Sequence, residues 1–284
     1  MAEGRVPGLT RNASARTSTV SQTIVLIHGL WMTPRSWEPW VNRYSTRGHR
    51  VLAPAWPGME AEVEELRRDP SPMTRLDITK IVDHYDGIIR GLESPPIVMG
   101  HSAGGLFAQL LIDRGLASAA VGVGSGAIKG VVPPLSTIRA VLPVLGNPFN
   151  RGKATGLTAK QFHYAFCNTL SRQKSDRIYG RQHVAAANRV MFQIAYAIFN
   201  PNGPTKINFK NDDRAPLLFI GFGRDHLAPA KVSRHGVEQY RESKAVTALE
   251  EFSGRPHFPG APGSEEVADY ALDWATGSPA ARQA

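Results

Sequence analysis

Cysteine is nearly absent: Cys167 stands alone among 284 residues. No intramolecular disulfide can form, which points to a reducing compartment and leaves the fold to a buried apolar core. Acids are scarce over one long stretch. Residues 131–210 hold eleven Lys and Arg against a single acid, Asp176, a net of +10 beside +9 for the whole chain. A solvated basic face is the plain reading, and attraction of acidic ligands or anionic interfaces is the functional one. The bases are scattered and no motif organises them, so nucleic acid is set aside as a partner. No run is long and apolar enough to span a membrane, and the first 22 residues lack a signal-peptide core. Residues 1–22 are therefore read as a disordered extension, 278–284 as a disordered tail, and the location as cytoplasmic. Also missing are a His/Cys/Glu cluster with metal-ligand spacing and a G-x-G-x-x-G following a strand. No metal and no cofactor are expected.

What is present is 42% hydrophobic residues in a pattern that alternates strand and helix. Strands are predicted at 23–27, 50–53, 97–99, 119–123, 216–220 and 246–252, with helices at 36–47, 78–92, 103–114, 232–242 and 265–274. Such alternation implies an α/β fold, a mostly parallel, doubly wound sheet of about six strands with helices on both faces. Ligands on such a sheet bind beyond the carboxyl ends of its strands. Residues 131–210 interrupt the alternation with helical stretches at 161–170 and 186–199. An insertion of that length is read as a helical cap over the strand ends, placing the α/β core at 23–130 and 211–277.

One motif stands at such a strand end. Gly100-His101-Ser102-Ala103-Gly104 spells G-x-S-x-G between the apolar run ending at Met99 and a helical pattern carrying Leu106, Leu110 and Leu111. That context is a nucleophile elbow, which would stand Ser102 exposed at a sharp strand-to-helix turn. A serine hydroxyl is a poor nucleophile at neutral pH, so it needs a base and a group that orients the base. Of nine histidines, His257 lies in the GRPHFPG loop directly after the strand ending at Phe252. His226 is the rival, but its neighbour Asp225, a short loop beyond PLLFIGF, fits better as the orienting acid. Asp212 and Asp213 precede their strand and are read as solvated loop residues; Asp113, on the helix after the elbow, is given a surface role.

The order Ser102, Asp225, His257 resembles that of a serine hydrolase of the α/β-hydrolase fold family, esterase- or lipase-like. LIHGLW resembles the oxyanion-loop strand, GHSAGG the elbow, GRDHLAP the acid loop and GRPHF the histidine loop, in order from Ile24 to Phe258. The resemblance implies oxyanion donors at the backbone N–H groups of Leu30 and Ala103, and structural roles for His28 and His101. Trp31, Phe162 and Phe166 are candidates to line an acyl pocket, or else to form the inserted segment's own core. The implied activity is hydrolysis of a carboxylic ester or related small acyl compound. Lactone, amide and carbon–carbon bond hydrolysis and perhydrolysis share the constellation, as does a non-catalytic ligand receptor.

Overall fold

The computed structural model describes residues 21–125 and 133–277. The extension read at 1–22 lies outside the described residues except for its last two positions, and the tail at 278–284 lies wholly outside. β1 (Thr23–Ile27) leads through a 3-10 turn at Pro34–Trp37 into α1 (Glu38–Thr46). β2 (Arg50–Leu52) is followed by two short helices, α2 (Val63–Arg68) and α3 (Ser71–Thr74), and then by α4 (Ile78–Arg90). Asp77 caps α4, its carboxylate accepting the Lys80 N–H at 3.0 Å. β3 (Ile97–His101), α5 (Ala103–Asp113) and β4 (Ala119–Val123) complete the first half of the chain.

The segment that interrupts the alternation carries α6 (Leu135–Leu145), β5 (Ala154–Thr155), α7 (Ala159–Phe166), α8 (Arg172–Gln182), β6 (Ala186–Ala187) and α9 (Asn188–Ala195). β7 (Leu217–Phe222), α10 (Ala230–Gln239), β8 (Thr247–Phe252) and α11 (Ser264–Ala275) close the chain. Among the described residues none of the elements between β4 and β7 joins the main sheet; β5 and β6 pair only with each other, antiparallel, with Ala154 opposite Ala187. The predicted helix at 186–199 is thus interrupted: Ala186–Ala187 is extended, and α9 gives way to a 3-10 turn at Ala197–Phe199.

Six strands form one parallel sheet in the order β2-β1-β3-β4-β7-β8. Because side chains alternate across a strand, β1 sends Ile24 and Leu26 to one face and Val25 and Ile27 to the other. The first face packs on α1 and α11 through Trp37, Trp40, Tyr44, Val267 and Leu272. The second packs on α4 and α5 and runs on into Phe162, Phe166 and Val190 of the inserted segment. Burial of every residue from Ala103 to Ile112 makes α5 the central helix, and Leu106, Phe107 and Leu111 each contribute about 1.5–3 kcal/mol. Among the described residues no helix is long and apolar enough to cross a membrane.

Candidate active site

Ser102 sits between the last residue of β3 and the first of α5, with φ 55° and ψ −117°. Trp31, just past β1, has φ 63°, and these two are the only non-glycine residues with positive φ among the described residues. Both outliers lie beyond the carboxyl ends of adjacent strands, where backbone strain of about 1–3 kcal/mol each is concentrated. The elbow glycines permit the turn. A Cβ on Gly100 would lie 2.0 Å from the Gly104 carbonyl oxygen, and one on Gly104 would lie 2.2 Å from the Ile27 carbonyl oxygen. The Ser102 N–H donates to Val123 O at 2.9 Å, tying the elbow to β4.

Asp225 and His257 meet in full burial, with His257 Nδ1 2.6 Å from Asp225 Oδ2. A carboxylate only accepts, so Nδ1 carries the proton and Nε2 of the neutral ring is left as the basic lone pair. Nε2 is buried and has no hydrogen-bond partner among the described residues. The other carboxylate oxygen, Oδ1, accepts the backbone N–H groups of Leu227 at 2.7 Å and Ala228 at 2.8 Å. The acid is thereby oriented by its own loop.

The His257 loop is held from three sides. His101 Nε2–H donates to the His257 carbonyl at 2.8 Å, and the two rings lie 4.6 Å apart, which brings the residue preceding Ser102 against the histidine loop. Trp40 Nε1–H donates to Pro259 O at 3.0 Å from α1. The Phe258 N–H donates to Phe166 O at 3.0 Å, and the Phe166 ring stands edge-on to the His257 ring at 5.0 Å. Burial holds His101 well below the usual histidine range, so it remains neutral as a positioning group. His28 is likewise buried and pushed down to about 4; its Nδ1–H donates to Gly29 O at 3.0 Å, and it stacks on Trp56.

His226 points elsewhere. Its Nδ1 donates to Tyr164 O at 2.8 Å, and its Nε2 faces the Asn168 amide at 3.3 Å. Asp113 and Asp212 bind loop backbone, at Asn208 N and Lys244 N respectively. Cys167 is buried, and its thiol is pushed up to about 12, so it is no competing nucleophile at neutral pH. Ala103 opens α5, where the first N–H groups lack intrahelical partners, and Gly29, preceding Leu30, lies so close to the elbow that a Cβ there would stand 2.9 Å from Ser102 Cβ. Trp31, Phe162 and Phe166 are all buried: Trp31 meets Phe166 edge-on at 6.1 Å, and Phe162 stacks behind Phe166 at 4.8 Å. Trp31 also anchors the inserted segment, its indole N–H donating to Thr155 O at 2.9 Å while its carbonyl accepts the Val184 N–H. The supporting contacts of His101 and Trp40 with the histidine loop escaped the sequence reading, because each spans more than 150 residues of chain.

The alpha/beta hydrolase family profile matches residues 24–270, and the chain belongs to that family. None of the curated proteins compared matches it. Among solved structures, it is similar to a monoacylglycerol lipase from Paleococcus ferrophilus, with TM-score 0.63, 20% identity, and 90% of this chain and 94% of that one covered. It is also similar to a pyrethroid hydrolase from Sphingobium faniae, with TM-score 0.60, 18% identity and coverage of 92% and 99%. A methylesterase from Arabidopsis aligns with TM-score 0.61, 15% identity and coverage of 88% and 97%. At these identities the likeness carries the fold alone.

Proposed function

We propose that this hydrolase cleaves carboxylic esters of small acyl compounds through an acyl-enzyme on Ser102, with Asp225 and His257 completing a triad. The observation that carries the reading is the buried Asp225–His257 hydrogen bond, which leaves Nε2 unpartnered on a ring that packs 4.6 Å from that of His101, the residue before Ser102. In the first half-reaction, Nε2 takes the Ser102 hydroxyl proton as Oγ bonds to the acyl carbon. The carbonyl oxygen becomes an oxyanion, held by the N–H groups of Leu30 and Ala103, each worth about 3–4 kcal/mol in the transition state. Collapse expels the alkoxide, which receives the proton from Nε2. Water then repeats the sequence, releasing the carboxylic acid and restoring Ser102.

Residues 131–210 serve in this reading as a cap, with Trp31 and Phe166 walling the acyl side of the pocket and Phe162 backing Phe166. Support comes from Phe166 against His257 and from the Thr137 hydroxyl, which donates to Leu227 O in the acid loop. The lipase and methylesterase among the similar structures are named for ester cleavage, which accords with the substrate class. The test is turnover of a short-chain nitrophenyl ester by the native protein and by Ser102→Ala. A loss approaching roughly a million-fold in turnover is expected, and unchanged turnover in the variant would refute the assignment.

A further inference from the structure

Large apolar side chains stand in water on one region of this molecule. Of the seven exposed ones among the described residues, six belong to the inserted segment: Leu135, Ile138, Leu142, Phe149, Tyr196 and Phe199. Leu135, Phe149 and Phe199 are 84%, 84% and 79% exposed. On α6, residues 135, 138 and 142 share one face, while Ala140 and Val144 are buried on another. This helix is therefore apolar on two sides and packed on only one. α6 contacts both α9 and the turn at Pro148–Asn150, and Tyr196 and Phe199 continue from α9, so the elements that carry the six side chains adjoin one another. A cavity of about 410 Å³ opens between that turn and α9, lined by Pro148, Arg151, Phe192 and Tyr196.

Charge decides what covers such a face. Of the segment's eleven bases, Arg172 pairs with Asp176, Arg181 with Glu38, Arg189 with Asp77 and Lys210 with Glu242, while Lys160, Lys174 and Arg177, away from this face, form no ion pair among the described residues. Arg151, Lys153 and Lys206 form no ion pair among the described residues and are exposed, as is Arg139, whose guanidinium lies over the Tyr164 ring at 4.4 Å. Arg139 lies on α6 itself, and Arg151 and Lys153 follow Phe149 directly. A second copy of the chain brought against this face would set two segments of net charge +10 together, which repulsion opposes. Exposed apolar residues with unpaired bases among them match a lipid surface bearing anionic headgroups, where apolar groups enter the acyl boundary and Arg and Lys meet phosphate.

We propose that this face docks the protein on an anionic lipid surface. Docking is independent of the reaction at Ser102, and through Thr137 and Leu227 it would lie next to the acid loop. The test is co-sedimentation of the full chain with vesicles of phosphatidylcholine alone and of phosphatidylcholine mixed with phosphatidylglycerol. Binding should favour the mixed vesicles at least about tenfold and weaken with added salt. The double variant Arg151→Glu, Lys153→Glu should lose at least about tenfold in partitioning, as should Leu142→Ser, Phe149→Ser. Because all four positions are exposed, these variants should retain native circular dichroism and turnover of a water-soluble ester. Equal binding to both vesicle types, binding untouched by either variant, or a native dimer that Leu142→Ser, Phe149→Ser dissociates would each overturn the proposal.

Discussion

Replacing Asp225 by Asn removes a charge and also dictates how the new amide must sit. Oδ1 of Asp225 accepts two backbone N–H groups, from Leu227 and Ala228. An amide NH2 cannot accept, so the Asn oxygen must stay on that side and its NH2 must face His257 Nδ1 across the 2.6 Å contact. Two N–H groups cannot point at each other, and the imidazole must therefore shift its proton to Nε2. The base that should take the Ser102 proton is then a donor. In serine proteases the equivalent change costs about 10⁴ in turnover, or roughly 5.5 kcal/mol of transition-state stabilisation. Little of this should appear as lost stability, since both loop hydrogen bonds persist. Initial rates on a nitrophenyl ester, paired with urea denaturation, separate the two effects. Turnover within tenfold of native in a well-folded Asp225→Asn protein would refute the tautomer argument and, with it, the role given to Asp225.

Other perturbations follow from the same geometry. Gly104→Ala puts a methyl 2.2 Å from the Ile27 carbonyl oxygen, which is backbone and cannot swing away; α5 must lift from β1 at a cost of about 3 kcal/mol, read as a drop in urea midpoint. His28 and His183 are each pushed down to about 4 by burial, and His101 also lies well below its ordinary value. Their unfolded forms bind protons first, so stability is fully present above about pH 6.5 and falls as pH drops from there toward 4, by about 3 kcal/mol for His28 alone. An unchanged urea midpoint between pH 7 and 4.5 would contradict that window. Trp31→Phe strips Thr155 O of its donor and should cost about 1 kcal/mol while speeding amide exchange around Thr155 and Val184, with β1 unaffected.

The sheet is legible because its strands are short apolar runs set between helical stretches; the predicted 23–27 and 119–123 match the strands residue for residue. Elements without an apolar stripe were not. α8, RQKSDRIYGRQ, is strongly polar, and its one signal is Ser171, whose hydroxyl accepts the Lys174 N–H as an N-cap. α6 was obscured by Pro143 inside it and by apolar residues on two faces, Leu135, Ile138 and Leu142 on one and Ala140 and Val144 on the other. At the site, chain order and strand-end position led to Ser102, Asp225 and His257, because loops at carboxyl strand ends converge by topology alone. The fate of the aromatics was not readable, since helical spacing is the same whether Phe162 and Phe166 face a pocket or a core. Both are buried: Phe166 is set against His257, and Phe162 lies one layer behind it.

An activated Ser102 should react covalently with a fluorophosphonate. Attack by Ser102 Oγ on phosphorus expels fluoride and leaves a stable phosphonyl ester that peptide mass spectrometry can locate. One adduct is expected, on the peptide bearing Ser102, and it should be abolished in His257→Ala while that variant still unfolds cooperatively. Labelling at another residue, or none in a folded native sample, would contradict this role for Ser102.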